Sequence, residues 1–266
     1  MLSTMNHLLR FCILPTAIAF SLPSWAQTPE EKGLEIAKEI KVRDHGWKDS
    51  QAQMIMTLRN SQGQESVRQI SIKSLEVEGD GDKGLTVFNE PRDVKGTAFL
   101  SFSHALEADE QWLYLPALKR VKRISSRNKS GPFMGSEFAY EDLSSFEVEK
   151  YTYKYLGTKA CPSGECFEVE QYPVDKNSGY TRQVALIDQQ EYRIWSVDFY
   201  DRKNSLLKTL TFDDYNQYLG KHWRAHSQKM VNHQSGKSTD LVWSDYQFQT
   251  GLEDGDFNQN TLKRAR

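Results

Sequence analysis

The sequence predicts a mainly β protein whose strands run antiparallel, as a sandwich or a barrel. The first observation is that short strand patterns follow one another at regular spacing, with turn residues between them. The second is that the connections are too short for the crossover helices that parallel strands require. The third is that the clearest helical pattern is confined to one stretch near the start of the chain. The composition, with 38% hydrophobic and 26% charged residues, is that of an ordinary globular chain.

The first 26 residues predict a cleaved export signal. Arg10 precedes an apolar run from Phe11 to Phe20, and Ser24-Trp25-Ala26 has the small-x-small pattern of a cleavage site. The apolar run is too short to span a bilayer, and Cys12 lies inside it, where a lipid anchor is not expected. We therefore expect cleavage after Ala26 and one mature domain over residues 27–266.

Residues 29–44 predict the helix. A proline and two glutamates in the first turn suit a helix N-terminus. Leu34, Ala37, Ile40 and Lys41 recur at helical spacing and predict a narrow apolar stripe. In a barrel, this helix would cover one mouth or pack along the open side.

The strand patterns follow the helix. In the first of them Ala52, Met54, Met56 and Leu58 alternate with other residues and form one apolar face. The two methionines are adaptable fillers that are usually core but also suit a cavity that accepts variable chains. The tail from Phe257 to Leu262 predicts a final short helix. The predicted strands outside the central stretch are 52–58, 66–77, 85–89, 97–103, 150–158, 166–172, 180–188, 192–201, 206–212, 223–233 and 239–250.

The stretch from Gln111 to Leu143 has the most unusual composition of the chain. Four bulky residues in a row, Trp112 to Leu115, suit a strand covered on both faces or a wall of an apolar space. Further on, Phe133 and Met134 lie between glycines in a loop. Because loops run over protein surfaces, these two side chains are either folded inward as a plug or held ready for a ligand.

Two basic pairs, Lys119-Arg120 and Lys122-Arg123, follow the bulky run. In an extended chain Arg120 and Lys122 share a face with the leucine and the isoleucine that flank the run. Such a strand exposes one face to solvent or contacts an amphiphilic partner. The formal net charge of −2 argues against nucleic acid as the partner, despite this local basic run.

The order WLYLPxLKRVKRI, followed by GPFMGSEFxYEDL, resembles the periplasmic family of outer membrane lipoprotein-sorting protein-like proteins. That family is similar in fold to the lipoprotein carrier LolA. The resemblance implies a mainly β, half-open antiparallel barrel wrapped around lid helices, with an apolar cavity for acyl chains. It also implies a periplasmic location and pairing with inner-membrane transporters of the resistance-nodulation-division (RND) type.

A cavity of this kind would be walled by aromatic and methionine side chains, which hold acyl chains without hydrogen-bonding them. The candidate ligand-binding residues are Met54, Met56, Trp112, Tyr114, Phe133, Met134 and Phe138. Arg120, Lys122 and Arg123 are candidates for contact with anionic headgroups or with an acidic docking face on a transporter. We expect the protein to be a monomer.

Cys161 and Cys166 predict a disulfide. A proline and a glycine between them indicate a turn, and strand patterns lie on either side. An oxidising compartment would let the two thiols close the tip of this hairpin. A redox site would need Cys-x-x-Cys beside a βαβ pattern, and zinc would need more ligands.

The search for catalytic and metal-binding motifs gives mostly negative results. The sequence contains no G-x-S-x-G elbow and no H-E-x-x-H motif. His222 and His226 would share a strand face, but no third ligand is evident. Asp80 and Asp82 in a glycine-rich turn have calcium-like spacing without the remaining ligands. We expect no catalytic residue, no metal and no cofactor.

Three hypotheses for the function follow. The first is a non-enzymatic periplasmic carrier of lipoprotein acyl chains or another lipid, which exchanges its ligand with an RND-type transporter. The second is an accessory protein that docks on a transporter and fills its cavity with its own side chains; cavity volume distinguishes it from the first. The third is a hydrolase, which a polar cluster with a nucleophile at the cavity floor would support.

Overall fold

Thirteen antiparallel strands form one continuous sheet in the computed structural model, which describes residues 27–264. The predicted leader over residues 1–26 lies outside this range. The helices are α1 (Pro29–Asp44) and α2 (Gln259–Leu262). The strands are β1 (Asp49–Arg59), β2 (Glu65–Leu75), β3 (Lys83–Glu90), β4 (Ala98–Phe102), β5 (Glu110–Leu115), β6 (Arg120–Ile124), β7 (Tyr151–Cys161), β8 (Gly164–Pro173), β9 (Tyr180–Asp188), β10 (Ile194–Asp201), β11 (Leu206–Tyr218), β12 (His222–Asn232) and β13 (Ser238–Phe248).

The sheet consists of two meanders that meet in the middle. Its order is β6-β5-β4-β3-β2-β1-β13-β12-β11-β10-β9-β8-β7, so every strand lies beside its sequence neighbours except that β6 and β7 are apart. β1 pairs with β13, with Met56 opposite Leu241. β6 and β7 are consecutive in the chain but form opposite edges of the sheet, which is not closed within residues 27–264. The predicted half-open antiparallel barrel is therefore confirmed.

Residues 125–150, here called the crossing segment, connect the two edges of the sheet. The segment consists of short 3-10 turns and extended backbone. Phe133 and Phe138 in it belong to the main core, which also contains the inward side chains of β1 and β13. The crossing segment therefore runs over the concave face of the sheet and covers part of its core.

Helix α1 packs along the open side of the barrel, against edge strand β7. Thr28 caps it, because the Thr28 hydroxyl accepts a hydrogen bond from the Glu31 amide. Its buried residues are Gly33, Ile36 and Ala37. The predicted stripe was thus displaced by part of a turn, and Leu34 is exposed. Gly33 explains the rotation, since a Cβ there would lie 2.9 Å from a β7 backbone nitrogen.

A second, smaller core lies on the convex face, beneath the C-terminal tail. Phe257 and Leu262 are buried there against Leu85, Leu100 and Trp112 of β3 to β5. The predicted final helix is present as α2, with Phe257 and Leu262 packed at either end of the tail. Neither helix in residues 27–264 has the length and hydropathy that crossing a membrane requires.

Candidate functional site

The concave face encloses a chamber of about 430 Å³, here called the first chamber. Period-two alternation points Ala52, Met54 and Met56 of β1 into it, while the intervening residues, such as Ile55, point outward. Leu210 and Leu241 complete much of its apolar lining. A volume of this size lies within the range of roughly 300–1,000 Å³ that is typical of small-molecule sites.

Phe133 closes one end of the first chamber as a plug. Its side chain is only 1% exposed. The ring centroid lies 5.8 Å from that of Phe88, 5.1 Å from that of Phe99 and 5.6 Å from that of Tyr140. Phe138 is buried beside it and also lines the chamber. Of the two alternatives for this loop, the inward plug is therefore the one that the structure adopts.

Met134 adopts a left-handed backbone conformation, with φ of 50°, that turns the chain sharply after the plug. Its carbonyl oxygen accepts a 2.6 Å hydrogen bond from Arg68 Nη1 of β2. The Met134 side chain packs against the main core but is not among the residues that line the first chamber. The loop is therefore anchored to the sheet through its backbone.

Trp112 and Tyr114 lie on the other face of the sheet from the first chamber. Trp112 belongs to the convex core and packs edge-on against Phe102, with 5.1 Å between centroids. The intervening Leu113 belongs to the main core. The run of bulky residues is thus a strand covered on both faces, as one of the two interpretations had it. Because side chains alternate along a strand, Trp112 and Tyr114 cannot share a face with Leu113, and placing them at the chamber wall was wrong.

A second chamber of about 420 Å³ lies on the other side of the crossing segment. Asp142, Ser144, Ser145 and Leu210 line both chambers, so this part of the molecule forms the partition between them. The second chamber is rich in tyrosine, glutamine and charged side chains. Its lining includes Lys129, Glu141, Lys150, Tyr151, Gln171, Tyr180, Gln183 and Phe199.

A buried ion pair holds the partition in place. Lys208 of β11 donates to Asp142 Oδ2 at 2.6 Å and to the Glu137 carbonyl oxygen at 2.7 Å. The two charged side chains are 4% and 5% exposed. Tyr180 donates to Asp142 Oδ1 at 2.8 Å, and burial raises the pKa of its phenol well above the usual value.

A second carboxylate contact ties the partition to the β8–β9 turn. Glu141 accepts hydrogen bonds of 2.8 Å from the Ser178 hydroxyl and from the Gly179 amide. Burial raises the pKa of this carboxyl above its usual range, while the two hydrogen bonds oppose that rise. Sequence reasoning missed Lys208, Asp142 and Glu141. The available signal was a lysine at an apolar alternation position of the strand predicted over 206–212.

Hydroxyl groups surround the end of the first chamber that lies away from Phe133. The serines that line it are Ser50, Ser74, Ser101, Ser103, Ser144 and Ser145. Asp82 lies among them, and burial raises the pKa of its carboxyl to about 6. Within residues 27–264, two buried polar atoms of the chamber lining have no hydrogen-bond partner, namely Ser101 Oγ and Trp243 Nε1.

The predicted basic contact residues lie on edge strand β6. Arg120, Lys122 and Arg123 are all exposed. Arg123 forms an ion pair of 2.9 Å with Glu110 on β5. For Arg120 and Lys122, no ion pair is found among residues 27–264. Ile124 of the same strand is buried in the main core, so the strand is apolar at its end and charged along its length.

Cys161 and Cys166 are disulfide-bonded and close the tip of the β7–β8 hairpin, as predicted. His222 is buried, with Nδ1 3.8 Å from Asp44, whereas His226 shares a 2.8 Å hydrogen bond with Tyr218. Across the described range 27–264, no group of three or more histidine, cysteine or acidic residues is arranged to hold a metal ion.

Solved structures share this fold over most of the chain. A protein from Vibrio parahaemolyticus, described as an outer membrane lipoprotein-sorting protein domain, is 66% identical, with a TM-score of 0.87, and the match covers 88% of this chain and 100% of that one. A DUF1329 family protein from Desulfovibrio piger is 28% identical, with a TM-score of 0.84, and the match covers 88% and 99% of the two chains.

The wider fold relationship rests on a LolA superfamily protein from Nitrosomonas europaea. It is 19% identical, with a TM-score of 0.68, and the match covers 88% and 99% of the two chains. A family model with the description "uncharacterized protein" matches residues 80–264. No curated protein matches the chain in sequence. The 66% identity over the full length of the Vibrio domain, together with the half-open barrel, shows that this chain belongs to the outer membrane lipoprotein-sorting protein-like family.

Proposed function

We propose that this protein is a non-enzymatic periplasmic carrier that shelters an acyl chain of a lipoprotein, or of another lipid, in the first chamber. The observation that carries the proposal is an apolar chamber of about 430 Å³ left open beneath the crossing segment. Removing an alkyl chain from water contributes about 0.8 kcal/mol per methylene group. The sorting function in the name of the Vibrio relative supports the same class of ligand.

Release of the chain requires the chamber to bind it reversibly. Met54 and Met56 provide a wall that can repack around different chains, because unbranched thioether side chains have several accessible rotamers. The crossing segment covers the chamber, and the contacts that hold it include those of Arg68 with Met134 and of Lys208 with Asp142. Opening of this segment is the step that we assign to loading and release.

The proposal includes an export route. Cleavage after Ala26 would leave a single domain over residues 27–266, which acts in the periplasm as a monomer. Intact mass and light scattering of the protein recovered from that compartment test the cleavage site and the oligomeric state together. A mass that retains residues 1–26 would contradict this part of the proposal.

The exposed β6 edge is the proposed contact with an inner-membrane RND-type transporter or with anionic headgroups. Arg120 and Lys122 supply free positive charge at an unpaired strand edge. Substituting both with glutamate should abolish this contact, and binding of the unaltered protein should weaken as salt is raised. The same edge favours the second candidate function, a docking accessory without a lipid ligand, but the open first chamber favours the carrier.

A paired glycine experiment tests ligand binding in the first chamber. Gly84 lines that chamber, and a Cβ added to it would meet no atom within 4 Å, so Gly84→Leu would fill the space without a backbone clash. Gly255 is equally open but exposed on the tail, so Gly255→Leu is the matched control. The readouts are binding of a fluorescent acyl probe by delipidated protein and mass spectrometry of the lipid extracted from native protein.

We expect Gly84→Leu to weaken probe binding by about tenfold or more, which corresponds to about 1.4 kcal/mol, and to remove the co-purifying lipid. The Gly255→Leu variant should bind like the parent protein. If the parent protein repeatedly yields no lipid and binds no acyl probe, the carrier proposal is wrong and the docking function takes its place.

A further inference from the structure

The first chamber continues into an acidic vestibule of about 230 Å³. Trp47 and Asp82 line both spaces, so they mark the passage between them. The acidic residues of the vestibule are Asp44, Glu76, Asp80, Asp82, Glu147 and Glu149, and its basic residues are Lys41 and His45. The polar end of a ligand whose chain lies in the first chamber would therefore meet an excess of negative charge.

Several carboxylates of the vestibule are already compensated. Asp44 pairs with Arg224 at 2.6 Å, and Asp80 pairs with His104 at 2.7 Å. Glu147 pairs with Lys41 at 2.9 Å. Glu76 accepts hydrogen bonds of 2.7 Å from two backbone amides. These contacts already satisfy the four carboxylates, so no ligand is needed at those positions.

Asp82 differs from these carboxylates. Within residues 27–264 it forms no ion pair, and its side chain accepts one long hydrogen bond of 3.4 Å from the Val77 amide. Lys41, whose charge lowers the pKa of Asp82, is itself held by Glu147. A partly buried carboxylate without a cation is unfavourable, because the charge has lost water without gaining a partner.

Ser101 gives independent evidence for a polar ligand at the same place. It is 4% exposed, it lines the first chamber, and its hydroxyl has no hydrogen-bond partner among the described residues. Register places Ser101 opposite Gly84 on β3, two residues from Asp82. The space above Gly84 is open, so a group lying there could reach both the Ser101 hydroxyl and the Asp82 carboxylate.

We infer that the mouth of the first chamber binds a protonated primary amine at the polar end of the acyl ligand, with Asp82 as the counter-ion and Ser101 as an additional acceptor. The inference rests on the proposed function, since the chain must lie in the first chamber for its head to reach this site. An ammonium group has three donors and no acceptor. It therefore matches the Asp82 carboxylate, which has no ion-pair partner within residues 27–264, and the Ser101 hydroxyl, which has no hydrogen-bond partner there.

Three probes with the same twelve-carbon chain test this inference. Dodecylamine, dodecanol and dodecanoate, each below its micelle concentration and near neutral pH, compete with a fluorescent acyl probe. We expect the amine to bind about tenfold more tightly than the alcohol, which corresponds to about 1.4 kcal/mol, because it can form a charge-assisted hydrogen bond with Asp82, and we expect the carboxylate to bind most weakly.

Asp82→Asn should remove the preference for the amine while the affinity for dodecanol stays within twofold. Asp80→Asn is the matched control, because Asp80 lies in the vestibule but not in the first chamber. If the alcohol binds and the amine has no advantage, or if the control variant has the same effect, the amine site is wrong while the carrier proposal stands. If none of the three probes binds, both proposals are wrong.

Two pairs of lipids distinguish the sources of such an amine. The first pair is a diacylglyceryl-cysteine peptide with a free α-amine and its N-acetylated form. The second is lysophosphatidylethanolamine and lysophosphatidylglycerol. Asp82-dependent loss of affinity within the first pair identifies a lipopeptide amine, and within the second a phospholipid headgroup. Equal affinities within both pairs would overturn a lipid amine as the ligand.

Discussion

The two chambers of the concave face are nearly equal in volume but differ in what they are made of. The first is walled largely by aliphatic, thioether and aromatic side chains, and Phe133 closes one end of it. The second is walled by tyrosines, glutamines and ion pairs, such as Lys129 with Asp175 at 2.6 Å. The first is therefore suited to hydrocarbon, whereas the second fixes the partition between them.

The contrast is clearest between two aspartates. Asp142, in the partition, has a buried lysine and a tyrosine hydroxyl as partners. Asp82, at the mouth of the first chamber, has no ion-pair partner within residues 27–264. A satisfied charge stabilises a fixed structure, whereas an unsatisfied charge is a cost that a ligand can remove. Substitutions at the two sites should therefore change stability in opposite directions.

The largest effect is expected for Lys208→Met. The substitution leaves Asp142 buried without its cation, which should lower the free energy of unfolding by about 3–5 kcal/mol. Guanidinium denaturation measures this loss. Lys203→Met removes an exposed lysine from the β10–β11 turn and should change stability by less than about 0.5 kcal/mol. Equal effects of the two substitutions would contradict the role of the pair in holding the partition.

Tyr180→Phe should have the next largest effect. It removes the 2.8 Å hydrogen bond to Asp142 while keeping the ring. Loss of a hydrogen bond to a charged group costs about 1.5–3 kcal/mol. Tyr200→Phe is the control, because the Tyr200 hydroxyl makes no hydrogen bond within residues 27–264. Thermal unfolding of both variants would show whether the Tyr180 hydroxyl stabilises the partition.

Asp82→Asn is expected to stabilise the protein, with a characteristic pH dependence. Burial raises the pKa of Asp82 from an ordinary value near 4 to about 6, against the opposing charge of Lys41 and with further rises from Glu147 and Asp44. Between these two values the folded state holds a proton that the unfolded state has lost. The contribution of Asp82 to stability is therefore lost as the pH rises through that window.

Asn carries no charge, so the variant should gain about 1–2 kcal/mol at neutral pH, where only part of the full shift counts because Asp82 is not fully shielded from solvent. Below about pH 4 the gain should vanish, since Asp82 is then protonated in both states. Denaturant unfolding at several pH values measures the difference. A gain in stability that does not change with pH would show that it does not come from the titration of Asp82.

The smallest effect is expected for Met54→Leu in the first chamber. Volume-conserving apolar exchanges cost less than about 1.5 kcal/mol. In the second chamber, Gln183→Leu should cost more, because it leaves the amide of Gln171 without the acceptor that it now contacts at 2.6 Å. If Met54→Leu were the more damaging of the two, the first chamber would be as tightly specified as the second.

The strands could be predicted from the sequence because their signals are local. Alternation and turn residues placed β9 at 180–188, as the structure has it, and most other bounds agree within a few residues. The pairing of β1 with β13 could not be predicted in this way, because the two strands lie at opposite ends of the chain. The rotation of α1 depends on how closely Gly33 approaches β7, which is also a tertiary contact.

Site prediction succeeded where the alternation was clear and failed where it was not. Met54 and Met56 alternate with Gln53, Ile55 and Thr57, so the apolar face of β1 was evident. In contrast, Trp112 lies in a run of bulky residues that does not show which face is concave. Lys208 and Asp82 act through partners, or the lack of them, that only the folded chain brings together. Because charged side chains are mostly exposed, the charge of these two residues alone gave no sign that they are buried.

The pairing of β1 with β13 has a consequence for how the protein reaches its folded state. Each meander can form from hairpins as its strands emerge, but the two can join only after nearly the whole chain is present. Contacts between such distant segments form slowly, because the long intervening chain loses entropy on closing before the contacts can stabilise the fold. Until then the open edges of β1 and β13 are exposed to other chains, so the time between synthesis and this last pairing is the period of greatest aggregation risk.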